Sequence, residues 1–189
     1  MTKKILIMLG PAGSGKSTQD KLIEKEFGYK PFIMGDILRE EVKKGTALGK
    51  RIHDMIKDGH LVTLEIASDL IFDKVKKSKA KKILMDGFPR EFYQSVVFDY
   101  FIKTNNYKLM GVIHLNLSRK ESIKRLLLRK RSDDDLKAIN QRLDDYHNIT
   151  KKAINKYRKE KKLIEINGEQ TIEDVFKEIK TKLNKIKGI

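Results

Sequence analysis

Cysteine is absent from all 189 residues. That excludes a disulfide framework and any thiolate metal site, and it is compatible with a reducing compartment. Long hydrophobic runs are missing too. The run Ile5-Leu6-Ile7-Met8-Leu9 meets glycine at once and is too short for a signal sequence core or a membrane span. The chain therefore reads as soluble and cytoplasmic, with no membrane partner. Internal repeats, low-complexity tracts and linkers are also lacking, so a single domain spanning 1–189 is expected, long enough to bury a core of its own. Acidic residues are in short supply: 26 Asp plus Glu stand against 42 Lys plus Arg, a formal net charge of +16. A basic surface attracts polyanions. The lysines, however, are spread over predicted helix faces without a basic tail or interleaved aromatics. They read as a solvated surface, and nucleic acid is not expected as a partner.

What is present is an alternation of short apolar runs and amphipathic stretches. Apolar runs at 3–9, 31–34, 82–86, 109–117 and 163–166 read as five strands. Between them the spacing predicts helices over about 16–26, 64–77, 94–104, 120–130, 135–160 (with a bend near Thr150) and 171–186. Thr171 is a plausible cap for the last helix, with Asp174 in its first turn. Strands alternating with helices imply an α/β fold in which helices cover both faces of a parallel sheet. Residues 36–62 are helical without an intervening strand and read as an insert beside that sheet.

The strongest local signal is Gly10-Pro11-Ala12-Gly13-Ser14-Gly15-Lys16-Ser17, a full match to G-x-x-x-x-G-K-[ST] that follows a strand and opens a helix. Its glycines let backbone N–H groups close on phosphate oxygens, and the helix N-terminus adds partial positive charge. Lys16 supplies a point charge for the outer phosphates, and Ser17 a hydroxyl for Mg²⁺. The motif implies binding of a nucleoside triphosphate and leaves the acceptor open.

Other residues fall where open α/β sheets bind ligands, beyond strand ends. Arg39 and Arg90 are two such guanidiniums, able to clamp one phosphate dianion or to make surface salt bridges. Asp86 ends a strand and can orient Mg²⁺ or its waters, or serve a turn. Asp36 follows a glycine and can cap a helix. The Gln94 amide offers a donor and an acceptor to a base edge. Arg125 and Arg129, four apart, share a helix face.

Taken together, these blocks resemble the adenylate kinase family of nucleoside monophosphate kinases, nearly end to end. The resemblance rests on Gly10–Thr18, Met34-Gly35-Asp36-Ile37-Leu38-Arg39, Asp58-Gly59-His60-Leu61-Val62-Thr63, Asp86-Gly87-Phe88-Pro89-Arg90 with Gln94, and Arg131-Ser132-Asp133-Asp134 with Arg142. It implies a three-layer sandwich on a five-stranded parallel sheet of order 2-3-1-4-5, a helical monophosphate-binding insert at 36–62, and a minimal lid at 129–135. It implies Mg²⁺-dependent transfer, ATP + AMP ⇌ 2 ADP, by a monomer. On the ATP side it places Gly10, Ala12, Gly13, Ser14, Gly15, Lys16, Ser17, Thr18, Arg125, Arg129 and Gln170. On the AMP side it places Met34, Gly35, Arg39, Leu61, Val62, Gly87, Arg90, Gln94, Arg131 and Arg142. On this resemblance Lys16, Arg90, Arg125, Arg131 and Arg142 are expected to carry the catalysis, and Ser17 and Asp86 to hold Mg²⁺, partly through water. Asp133 and Asp134 would hold the arginines beside them.

Two departures from the family pattern stand out. Met34 replaces the usual Thr before Gly-Asp and removes a hydrogen bond to the acceptor base. Between Arg129 and Arg131 only Lys130 intervenes, where long-lid members carry an insert. The Cys-built zinc lid is absent, so no structural zinc is expected. A UMP/CMP-type kinase therefore stays open as an alternative, kept alive by Met34 and opposed by Gln94. So does a nucleotide-dependent binding or assembly factor, motivated by the short lid and the charge and opposed by the arginines.

Overall fold

The computed structural model describes residues 2–129 and 135–189. Five strands form one sheet: β1 (Lys4–Leu9), β2 (Lys30–Ile33), β3 (Lys82–Asp86), β4 (Lys108–Asn116) and β5 (Leu163–Asn167). Their order is β2-β3-β1-β4-β5, and every pairing is parallel. The expected order is the one observed.

The reason lies in the central strand. Along β1, Ile5, Ile7 and Leu9 join one core cluster, with Ile71 and Val75 of α4 (Leu64–Lys77), Phe98 and Phe101 of α5 (Phe92–Thr104) and Ile154 of α8 (Lys151–Lys159). Leu6 and Met8 point the other way, into a second cluster with Ile23 of α1 (Lys16–Phe27) and Val175, Ile179 and Leu183 of α9 (Ile172–Leu183). Alternate side chains thus bury on opposite faces, which is why the run is apolar throughout and why helices cover both sides. The result is the three-layer sandwich.

The stretch after β2 holds α2 (Met34–Lys43) and α3 (Ala47–Lys57) and no strand, as the pattern implied. The second strand ends one residue earlier than expected, because Met34 already opens α2. Thr171 caps α9 as expected: its Oγ1 accepts the Asp174 N–H at 3.2 Å and its hydroxyl donates to Asp174 Oδ2 at 2.7 Å. The single bent helix expected over 135–160 resolves into α7 (Leu136–Asp145), a π-helical turn at Tyr146–Thr150, and α8. The extra residue of a π turn rotates the helix face and supplies the bend without glycine or proline. Between β4 and α7 lies α6 (Arg119–Arg129), whose Leu126 packs on Ile139 and Leu143 of α7.

Parallel register brings the strand ends level. Met8 pairs with Asp86, Ile33 also pairs with Asp86, and Leu9 pairs with His114. The chain leaves β1, β2 and β3 along one edge, so the phosphate loop, Met34 and Gly87 all start there.

Candidate active site

A cleft of about 520 Å³ opens over this edge. Its floor is the loop from Gly10 to Ser17. The loop takes left-handed backbone at Gly13 and Gly15, with φ of 81° and 87°. A β-carbon on Gly10 would lie 2.7 Å from the Leu115 carbonyl oxygen, so the loop turns against β4 only because that residue has none. Lys16 Nζ donates to the carbonyls of Gly10 at 3.0 Å and Pro11 at 2.9 Å. Desolvation lowers the Lys16 pKa from its ordinary value, Arg90 and Arg129 add to that, and the carboxylates of Asp86 and Asp20 oppose it.

The arginines converge on the same cleft. Arg39 comes from α2, Arg90 from the turn after β3, Arg125 and Arg129 from α6, and Arg142 from α7, and all five line it. Each of the first two is braced locally. Arg39 Nη2 donates to Asp36 Oδ1 at 2.5 Å, so Asp36, expected to compete as a helix cap, holds an arginine instead. No side chain caps the start of α2. Arg90 Nε donates to the Gly87 carbonyl at 2.9 Å. Burial lowers the Arg90 pKa, Arg142 adds to the effect, and Asp86 and Asp145 oppose it. Arg125 Nε donates to Glu121 Oε1 at 2.8 Å, one helical turn back.

On the other side of the cleft the wall is apolar: Met34, Leu38, Leu61 and Val62, with Gln94 among them. Gln94 is buried, and its Oε1 accepts the Arg90 backbone N–H at 2.8 Å. Only part of the amide's hydrogen-bonding capacity is spent there.

Of the residues expected on the ATP side, Gly10, Ala12, Gly13, Ser14, Gly15, Lys16, Ser17, Thr18, Arg125 and Arg129 line the cleft. Gln170 does not: its amide donates to the Asn167 carbonyl at 2.9 Å and to Glu178 Oε2 at 3.0 Å, pinning the β5–α9 turn. On the other side Met34, Gly35, Arg39, Leu61, Val62, Gly87, Arg90, Gln94 and Arg142 line it. Arg131, Asp133 and Asp134, with most of the expected 129–135 lid, lie outside the described residues.

Asp86 is buried at the end of β3, where its Oδ2 accepts from the Ser17 hydroxyl in a long contact of 3.4 Å. Its Oδ1 is buried, with no hydrogen-bond partner among the described residues. An oxygen left bare beside a hydroxyl is the donor set a hard divalent cation takes, directly or through water, so these residues fit Mg²⁺.

Sequence reasoning missed Asp20, Asp145, Tyr146 and Thr150. The last three line the cleft from the end of α7 and the π turn. Their signal was the bend itself, which turns that segment toward the strand ends. Asp20 is wholly buried on α1. Counting back from Ile23 by three reaches Asp20, so the helical period places it on the face against the sheet.

Comparison with known proteins agrees with this geometry. The family model described as "Adenylate kinase" matches residues 8–162. An adenylate kinase of Parabacteroides distasonis is 38% identical over 187 residues, covering 96% of this chain and 98% of that protein. One of Campylobacter curvus is 38% identical over 182 residues, covering 94% of this chain and 96% of that protein. One of Thermus thermophilus is 32% identical over 182 residues, with the same two coverages. A phosphate loop, five guanidiniums from four places in the chain and a free carboxylate oxygen meet in one cleft, and the matches run nearly end to end: the chain belongs to the adenylate kinase family and is a phosphotransferase of the nucleoside monophosphate kinase class.

Proposed function

We propose that the chain transfers the terminal phosphoryl group of ATP to AMP, reversibly, with Mg²⁺ as the cation. The observation that carries this reading is the convergence of Arg39, Arg90, Arg125, Arg129 and Arg142 on the cleft that holds the Lys16 loop. Phosphoryl transfer asks little covalent chemistry of a protein. It asks for two nucleotides in line and positive charge around the oxygens that gain charge in the transition state.

The loop Gly10–Ser17 and Thr18 bind the ATP phosphates, with Lys16 on the outer ones. Arg39 and Arg90 hold the acceptor's phosphate. Arg125, Arg129 and Arg142 line the gap between the two sites, and their guanidiniums lower the barrier by meeting charge as it develops. Residues 36–62 form the acceptor-binding part, with the apolar wall of Met34, Leu61 and Val62 packing the base. Gln94 reads the base edge with the amide capacity that Arg90 leaves unused. Ser17 and Asp86 would hold Mg²⁺, which when bound neutralises phosphate charge and keeps the outer phosphates aligned.

The test is a coupled assay with ATP against AMP, GMP, CMP and UMP as acceptors. The reading expects AMP to be preferred. Equal or better turnover with CMP or UMP would overturn the acceptor assignment, and no transfer to any monophosphate would overturn the kinase reading itself.

A further inference from the structure

Asp20 stands one helical turn past Ser17 on α1 and has no part in the chemistry above. It has 0% exposure, and among the described residues neither carboxylate oxygen has a hydrogen-bond partner. It faces Asp86, whose Oδ1 is buried and equally unpartnered. The nearby cation does not resolve this: Lys16 Nζ donates to the carbonyls of Gly10 and Pro11 and, at 3.4 Å, to Ser14 Oγ. Two carboxyl groups thus meet in the interior with three bare oxygens between them. Burying one such group without a partner costs several kcal/mol. Hydrophobic burial gives no reason to place an acid on this face, where its neighbour Ile23 packs into the core.

Carboxyl groups that face each other beside a hydroxyl are acceptor-only once ionised, and so match the preference of hard divalent cations for carboxylate and hydroxyl oxygens. With Asp86 as sole carboxylate the cation would depend on the nucleotide's phosphates for most of its charge partners. A second carboxylate behind Asp86 supplies that charge from the protein. We propose that Asp20 is a further ligand of the divalent-cation site at Ser17 and Asp86, so that the protein binds Mg²⁺ or Mn²⁺ before any nucleotide arrives. The inference rests on the assignment of Ser17 and Asp86 to the cation.

The test is Mn²⁺ binding to the nucleotide-free protein, read from the loss of the free-ion electron paramagnetic resonance signal on titration with MnCl₂. The wild type is expected to take up one Mn²⁺, and Asp20→Asn to bind it at least tenfold more weakly. Asn keeps the shape and removes the charge, and Asp20→Ala serves as a second variant, with circular dichroism showing that each is folded. Equal affinity in wild type and both variants, or no uptake by the wild type at millimolar Mn²⁺, overturns the proposal. Asp86→Asn separates it from its premise. If Asp86→Asn weakens Mn²⁺ binding while the Asp20 variants do not, only the role of Asp20 falls. If Asp86→Asn leaves both Mn²⁺ binding and the Mg²⁺ dependence of transfer untouched, the cation assignment falls with it.

Discussion

Arg90 lies across Gly87: its Nε donates to the Gly87 carbonyl at 2.9 Å, and a β-carbon on Gly87 would sit 2.7 Å from its Nη2. Gly87 also holds a φ of 76°, which L side chains adopt at a cost. Gly87→Ala therefore strains the turn and pushes the guanidinium off its seat. The clash is with the far end of a flexible side chain, so the fold tolerates it better than the site does. Stability should fall by roughly 1–2 kcal/mol, a drop in Tm of about 2–8 °C. The acceptor KM should rise by about tenfold or more, because a phosphate-clamping fork has moved. Thermal melts and acceptor kinetics on one preparation check both, and a normal KM would show that Arg90 does not hold that phosphate.

Gln94 gives a second prediction, on discrimination. Its Oε1 accepts the Arg90 backbone N–H at 2.8 Å, and it lines the cleft together with Met34, Leu61 and Val62. Removing a buried hydrogen-bonding group costs about 1–3 kcal/mol where partners are left unpaired. Gln94→Ala should raise the KM for AMP by about tenfold and narrow the gap between AMP and the other monophosphates. Ratios of kcat/KM across four acceptors measure it. An unchanged ranking would mean that Met34 and the apolar wall read the base without the amide.

Lys16 carries the third. Its Nζ is seated on the loop's own carbonyls, within the ring of arginines. Lys16→Ala removes a charge aimed at the transferring group and leaves packing almost intact. The expected result is a loss of about 10²–10³ or more in kcat, with Tm shifted by only a few degrees. Single-turnover transfer and a thermal melt separate the two effects.

Much of this was legible in the sequence, for identifiable reasons. Ile5 to Leu9 are apolar at every position because β1 is covered on both sides, and that pattern marks it as a buried parallel strand. The phosphate loop was legible because its glycines meet a backbone requirement that few sequences satisfy by chance. Arg39 and Arg90 were legible as residues just past strand ends. Asp145 and Tyr146 were not, because they reach the cleft only through a π turn, and no residue type marks that extra-residue register. Gln170 was carried over from the family pattern, while its amide is spent on Asn167 and Glu178, a local arrangement that no motif encodes. Asp20 breaks the apolar face of α1, and such a break shows in the helical period but not in what the side chain meets.

The last prediction concerns pH and sets two buried groups against each other. His114 is buried within β4, two residues short of its end, and its Nε2 shares a 2.7 Å hydrogen bond with the Tyr146 hydroxyl. Burial lowers its pKa from 6.5 to about 4; Glu165 opposes the shift, and Arg158 and Lys16 reinforce it. The unfolded chain thus takes up this proton first as pH falls. The neutral ring's contribution is whole above pH 6.5 and is lost as pH drops through 4, about 3 kcal/mol in all. Asp20 runs the other way. Burial and the facing Asp86 raise its pKa well above the usual carboxylate range, with Lys16 opposing, so the folded protein holds this proton more tightly than the unfolded chain does. Stability falls on that account as pH climbs past the unfolded carboxyl's 3.8 toward the raised folded value. Between pH 4 and 6.5 the two slopes oppose, and the wild type hides both. The variants separate them. Relative to wild type, His114→Gln should gain stability as pH is lowered from about 7 to 4.5, because the ring's acid-side loss is gone. Asp20→Asn should gain on wild type as pH is raised from about 5 to 8.5, because Asn has no proton to lose. Urea unfolding in EDTA across this range, with each variant subtracted from wild type, reads the slopes directly. A flat difference for His114→Gln would mean that the ring titrates alike in both states, and a flat difference for Asp20→Asn would mean that Asp20 is ionised inside the fold.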